Sequence, residues 1–559
     1  MPTKYTPLAK SEHLHPAGHQ KLEKAPDTER ITATLILRRR QGQGSEPMKD
    51  LAYFQTTPAS ARRQVSHKDF AGTYGADVAE LLAVASFAHT NGLKVVESDA
   101  ARRSVKVSGT AAAMNSAFGV ELNHYDSPLG HYHGHEGPAN LPADIAPFVE
   151  AIVGLDNRPV PARHYLADPP NTTSITPQEV ASLYNFPTGS GSGQTIGIYE
   201  MVTGDGKPGY SAQDIAATMA AFGGNLTAPT PTDVTIDGEA NTNVTDGETL
   251  LDITISSAIA QEANLAVYFT VGTNQGIINA LQRMIHPGTG DPQPTVLSIS
   301  YGWSPDDTWN FINEIEYNQM SALFQDAAHL GITVMVSSGD SGAMIMSKTK
   351  AEASYPATDP WVTACGGTTI GNIEGNNFTE YVWNDSWGSG ASEQQGATGG
   401  GISAVFPVPA YQNGFNLPNS LTNNKPGRGI PDIAGNASPL SGYPQSQSGQ
   451  TGAGGGTSAV APLYAGLIAV INANLGMSVG FINPILYSLK GSAFRPIAGP
   501  PGPANNSFGN VTGYPATAGW NACTGLGSVI GTALQDGLAA AFQKAAQPAP
   551  QPEMAEAAH

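Results

Sequence analysis

Charge is scarce in this chain. Only 13% of its 559 residues are Asp, Glu, Lys or Arg, and positive charge almost vanishes after residue 164. Residues 165–559 carry 9 Lys and Arg against 29 Asp and Glu, and only three of the 13 histidines, His286, His329 and His559. So few bases exclude the basic patches that nucleic-acid recognition needs. They also limit the positive charge that acid can add, and so the self-repulsion that unfolds proteins at low pH. Cysteine is almost absent. Cys365 and Cys523 allow at most one disulfide, and buried free thiols are the expectation. No apolar run is read as long enough for a membrane span, so no membrane partner is expected. The N-terminal "MPTKYTPLAKSEHLHPAGHQ" has no apolar h-region, and no ordinary signal peptide is expected.

What is present points to two domains. Residues 1–164 hold 18 Lys and Arg, 17 Asp and Glu and 10 histidines, an ionisation unlike that of the rest. Residues 1–30 read as a flexible tail. Residues 31–160 read as β-α-β-β-α-β, a ferredoxin-like α+β unit: strands "ITATLIL", "LKVVESD", "RSVKVSG" and "VELNHY", with helices at "DVAELLAVASFAHTNG" and "TAAAMNSAFG". "ADIAPFVEAIVGLD" is expected as a further helix. Residues 161–175 are Pro-rich and aperiodic, a linker. From 176 to 545, apolar strands such as "QTIGIYEM", "NLAVYFTV", "TVLSISYG" and "ITVMVSSGD" alternate with helices. That pattern is an α/β parallel sheet with helices on both faces, and functional groups collect at its strand C-termini. Residues 546–559 are of low complexity and expected to be disordered.

Three stretches can carry chemistry. In "GGGTSAVAP", glycines 454–456 deliver Ser458 to the start of an apolar helix, where free N–H groups favour developing negative charge. A capping Thr-Ser pair would look the same. His286 and His329 both sit at helix C-termini, which suits dipole-complementing histidines better than a catalytic base. In "DGETLLDITISSAIAQEA", Glu248 and Asp252 are four residues apart and share one helical face. Such a pair either lies solvated at a helix start or shares a proton in acid with split pKa values. Asp340, in "VSSGDSG", comes just after a buried strand, as a turn aspartate or as a functional one.

Taken together, these stretches resemble the sedolisin family of serine-carboxyl peptidases. "GETLLD", "SGDSG" and "GGTSAVAP" match its motifs in order and spacing, as do "ACGGT", "VWND", "RGIPDIAGNA", "INPILY" and "ACTGLG". "AFGVEL" and "GLDNRP" resemble the family's propeptide. The resemblance implies a subtilisin-like catalytic domain behind an inhibitory prodomain, with maturation by cleavage in the linker. It implies that Ser458 is the nucleophile, Glu248 its base, Asp252 the residue orienting Glu248, and Asp340 the oxyanion donor. An ionised Glu and a protonated Asp coexist on the order of pH 3–5, where a histidine base is protonated. The resemblance further implies protein and peptide substrates, a monomer, and action outside the cell in an acidic medium. Within the family, endopeptidase and tripeptidyl-peptidase modes both remain open, and a catalytically silent peptide-binding relative is the alternative outside the enzymes.

Five positions depart from the family or extend it. The family's calcium site near the C-terminus uses two aspartates. Here Pro496 and Asn521 occupy their places, and no Asp or Glu occurs from 433 to 535. Calcium prefers oxygen ligands with carboxylates among them, so no cofactor or metal is expected. Ser354 stands where an acidic residue would line the S1 pocket, and Tyr301 replaces a tryptophan of the substrate cleft. Glu200 matches a glutamate that supports the catalytic pair from behind.

Overall fold

The computed structural model describes residues 5–543 except 13–17, 43–45, 63, 129, 161–165, 168–173, 203–205, 305–313, 346–348, 387–395 and 500–502. The expected tail 546–559 lies outside the described residues, as does all of the linker before Ser174 except Leu166 and Ala167.

The N-terminal domain is built from Arg30–Leu37 (β1), Val78–Thr90 (α1), Lys94–Asp99 (β2), Ser104–Thr110 (β3), Ala111–Phe118 (α2) and Val149–Val153 (β4). Its antiparallel sheet runs β2-β3-β1-β4, the ferredoxin-like order. Both helices start where a side chain satisfies a free N–H: Asp77 accepts from Ala79, and Thr110 from Ala113.

Three expectations are corrected. The stretch expected as a helix near 143–156 supplies the fourth strand, β4. Its short apolar run "FVEAIV" fits either period, and pairing with β1 (Leu35 with Ile152, Ile36 with Ala151) decides it. Leu122–Ser127, expected in the main sheet, pairs with Gln20–Lys24 and Gly130–His135 in a separate one. The tail is therefore partly ordered, and Tyr5–Pro7 also pairs with Asn140–Pro142.

The large domain carries Thr195–Met201 (β5), Gly247–Ile259 (α3), Asn264–Thr270 (β6), Asn274–Ile285 (α4), Val296–Ile299 (β7), Glu314–Leu330 (α5), Thr333–Ser337 (β8), Thr363–Glu374 (β9), Ile433–Asn436 (β10), Gln450–Gly455 (β11) and Val460–Leu475 (α6). The central sheet runs β6-β5-β7-β8-β9-β10, all parallel, with Thr232–Thr235 outside β6. Tyr199, Ile299 and Val336 stand in one row, so the residues that follow them, Glu200, Ser300 and Ser337, come along one edge. Residues Val460–Asn472 of α6 are all buried. Residues Thr457–Leu475 do reach membrane-spanning length and hydropathy, contrary to expectation, but 83% of that window is buried in the protein. It is the core helix, and each buried Leu, Ile or Val there contributes about 1.5–3 kcal/mol. Cys365 and Cys523 are buried and unpaired.

The two domains share one interface. Ile36, Ala151 and Val153 of the N-terminal sheet join the large domain's apolar core. Thr34 donates to Asn279 of α4 and accepts from Gln275, while Arg103 reaches Gln319 of α5.

Candidate active site

Gly456 has φ 102°, a conformation that a β-carbon would strain. It swings the chain out of β11 into the turn Thr457–Ala459, which leaves Ser458 fully buried at the head of α6. On the neighbouring helix, α3, Glu248 and Asp252 are also fully buried. Asp252 meets Ser300, the residue just past β7. Its hydroxyl donates to both Asp252 oxygens, at 3.0 and 2.8 Å, and its carbonyl accepts from Ser458 Oγ at 3.4 Å. The Ser458 side chain faces Glu248 and is placed to favour its ionised form, across a contact looser than a formed hydrogen bond. In resting enzymes the catalytic contact is often long in this way.

Glu200, buried in β5, completes an acidic pocket. Its Oε2 accepts from Thr249 at 3.0 Å and from Tyr301 at 2.8 Å. Tyr301 is fully buried and holds Glu200 from behind the pair. Burial, then mutual repulsion, raises Glu200 and Glu248 well above the ordinary range; burial raises Asp252 too, against its Ser300 bond. The pocket cannot hold three negative charges, so its protons are shared.

Asp340 sits next to Gly339, three residues past β8. Thr457 donates to its Oδ1 twice, from N–H and from Oγ1, each at 2.8 Å, while Thr457 Oγ1 accepts from Gly339 N–H. The other oxygen, Oδ2, is buried without a partner. Burial outweighs the Thr457 bonds and pushes Asp340 up to about 8. Its proton therefore belongs on Oδ2, on a carboxyl group anchored to the residue before Ser458.

The fold thus brings together Ser458, Glu248, Asp252, Asp340, Glu200 and Tyr301. Ser354 is buried, its hydroxyl without a partner, beside Tyr355, which bridges Trp303 two residues past Tyr301. Ser300 and Thr457 were not singled out from sequence. Both lie inside stretches that match the family, but serine and threonine are too common in turns to mark themselves.

Where calcium would be held, the local chemistry is that of an amide. Asn521 Nδ2 donates to the carbonyls of Ile497 and Thr517, at 3.0 and 3.2 Å. Its Oδ1 accepts from the N–H groups of Cys523 and Thr524 and from Thr524 Oγ1. Both carbonyls already have a donor, and the sequence holds no Asp or Glu from 433 to 535. These residues do not fit calcium.

One more strand reaches the site. Leu166 and Ala167 pair antiparallel with Gly455 and Gly454 of β11, the strand that leads to Ser458.

A parallel sheet with a buried serine at the head of its core helix is the architecture of a subtilase-fold peptidase. Residues 215–480 match the subtilase family, and residues 17–158 match the pro-kumamolisin activation domain. The chain is 38% identical to kumamolisin from Bacillus sp. (strain MN-32) over 94% of this chain and 95% of that one. It is 32% identical to tripeptidyl-peptidase sed5 from Aspergillus fumigatus, covering 94% and 96%. The solved structure of Pseudomonas sedolisin, a serine-carboxyl proteinase, superposes with a TM-score of 0.54 at 26% identity, covering 66% of this chain and all of that one. The chain belongs to the sedolisin family and is a serine-carboxyl peptidase made as a zymogen, its N-terminal domain being the activation prodomain.

Proposed function

We propose that the protein is an acid-active endopeptidase that activates itself and cuts protein and peptide substrates through an acyl-enzyme on Ser458. The observation that carries this is the pairing, around one serine, of a buried Glu248–Asp252 couple with an Asp340 that is held through one oxygen by Thr457 and keeps the other buried and free. As Ser458 Oγ attacks the scissile carbonyl, Glu248 takes its proton, and Asp252, fixed by Ser300, steadies Glu248. Asp340 Oδ2–H donates to the oxyanion. Glu248 then returns the proton to the leaving amine, and water cleaves the ester by the same route in reverse.

These two roles set opposite pH limits. Glu248 must be ionised, so activity falls as pH drops through its pKa. Asp340 must be protonated, so activity falls as pH rises through its own. Both lie high in the uncut chain, because burial is the largest cause of each shift. Departure of the Leu166–Ala167 strand from β11 is expected to hydrate the cleft and move both limits toward acid. The mature enzyme is expected to show a bell-shaped kcat/KM profile on denatured protein. Asp340→Asn keeps a donor that cannot titrate and is expected to lose the alkaline limb, whereas Asp340→Ala lowers kcat by about 10²–10³-fold. An alkaline limb unchanged in Asp340→Asn overturns the assignment. Because relatives carry the name tripeptidyl-peptidase, that mode is the second possibility. Cleavage of an N-terminally blocked peptide supports the endopeptidase; strict need for a free N-terminus supports the other. By the family resemblance, Ser354 and Tyr301 are assigned to the non-prime side of the substrate cleft. The low basic content of residues 165–559 suits work in an acidic medium, with a monomer acting outside the cell as the accompanying expectation.

We also propose that the protein works without calcium. The amide of Asn521 spans the contacts that a cation would make. EDTA is expected to leave both Tm and activity unchanged; a loss restored by calcium refutes this.

A further inference from the structure

The two histidines that remain in the body of the large domain both lie under the prodomain. His286 ends α4, and its ring packs at 5.2 Å from prodomain Phe70. His329 lies in the last turn of α5, among Phe54, Tyr74 and Phe70, with ring separations of 5.1, 5.8 and 6.4 Å. All three rings belong to the prodomain. Phe54 reaches on into the large domain, edge-on to Trp361 and Phe481.

The hydrogen bonds of His329 fix its protonation state. The backbone N–H of Lys49, in the prodomain, donates to His329 Nε2 at 3.1 Å. A backbone N–H can only donate, so Nε2 must be bare. His329 Nδ1 meets the carbonyl of Gln325 at 2.9 Å, which can only accept, so Nδ1 carries the hydrogen. The docked imidazole is therefore neutral, in one tautomer. The same turn grips Lys49 a second time, since Gln325 Nε2 donates to the Lys49 carbonyl at 2.8 Å. The His329 carbonyl also accepts from Val65 N–H. A second proton on Nε2 would point straight at the Lys49 N–H and break the first contact.

The surroundings offer that proton no compensation. Among the described residues, the titratable and charged groups nearby are Asp326 on the same helix, Arg39 past β1, Lys49, Asp50 beside it, Arg62, Tyr74 and His286, with His67 beyond. Asp50 is exposed and caps the next helix at Tyr53, so Asp326 is the one buried anion of that set. It is already bonded to Arg39 at 2.5 Å and to His286 at 3.0 Å. Burial alone would raise Asp326, but Arg39 and His286 hold it down at about 2. The Arg39–Asp326 bridge between the domains thus survives mild acid. Burial, with help from Arg39 and Lys49, lowers His329 below the ordinary histidine value despite Gln325 and Asp326. A cavity of about 130 Å³ beside it, lined by Phe54, Arg62 and Phe481 among others, admits water.

We propose that His329 is an acid-released latch that holds the Lys49–Phe54 segment of the prodomain against α5. The proposal rests on the N-terminal domain being an activation prodomain that must leave. Undocked, His329 faces water and regains a pKa of about 6.5. The docked state binds fewer protons, so docking is at full strength above that value. It weakens by up to roughly tenfold per pH unit below it, until the docked pKa is reached. The carboxylate bridges do not provide this sensitivity; the imidazole does.

Hydrogen exchange on the full-length Ser458→Ala precursor tests it without requiring any catalysis. Protection of the Lys49–Phe54 amides, corrected for intrinsic rates, is expected to fall at least tenfold between pH 7 and pH 5. In Ser458→Ala/His329→Gln, where a side-chain amide oxygen can still accept from Lys49 but cannot titrate, protection should persist at pH 5. With Ser458 restored, His329→Gln is expected to slow precursor processing at pH 5 by about tenfold. Protection that ignores pH in the first protein, or is lost alike in both, overturns the latch. Should His329→Gln fail to fold, the first comparison decides alone. Absence of proteolysis from every protein would instead refute the peptidase mechanism and leave the exchange result standing.

Discussion

A full-length Ser458→Ala precursor is expected to remain one uncut chain at pH 4, under conditions in which the wild type processes itself to completion. Loss of kcat on any peptide should be on the order of 10⁶-fold, because removing the nucleophile of a serine peptidase costs about as much as removing its whole catalytic group. The helix head and the Asp340–Thr457 bonds do not depend on the Ser458 hydroxyl, so the variant should fold. Electrophoresis and intact mass measure the outcome. The wild-type product carries a second expectation. Strand β11 runs toward Ser458, and Leu166–Ala167 run antiparallel to it. The chain on the leaving-group side of a cut at Ser458 therefore lies along β11, and the first new N-terminus should fall at or before Leu166. Ready self-cleavage of Ser458→Ala, or a first cut beyond Ala167, contradicts this arrangement.

Glu248→Gln should be nearly as damaging, lowering kcat by about 10⁴-fold, the upper range for loss of a general base. Its neighbours explain why no other group substitutes. Asp252 is tied to Ser300 through both oxygens, Glu200 is tied to Thr249 and Tyr301, and both histidines face the prodomain. Glutamine preserves the shape, so KM should change little while kcat collapses, as expected for an interaction made in the transition state. Full activity of Glu248→Gln at any pH ends the proposed mechanism.

Much of this was legible in the sequence. The helix spacing of Glu248 and Asp252 is a local property, and so is the glycine-led turn before Ser458; each survives in the fold unchanged. The strand-helix alternation after residue 176 was equally plain, because parallel strands buried on both faces leave long apolar runs. What failed was non-local. "FVEAIV" becomes a strand because β1 offers an open edge. The N-terminal tail orders because Leu122–Ser127 and Asn140–Pro142 pair with it. The roles of Ser300 and Thr457 were invisible because each depends on a carboxylate distant in sequence. His286 and His329 were rightly read as helix-end residues, but the sequence held no sign that a second domain would cover them.

The strand at Leu166–Ala167 has a kinetic consequence. A substrate tethered to its own catalyst is present at an effective concentration set by the chain that joins them, not by the amount of protein in solution. Activation should then be unimolecular at its first step, with a half-time that dilution does not change. The molecule can be released sparsely into a large acidic volume and still switch on, one copy at a time.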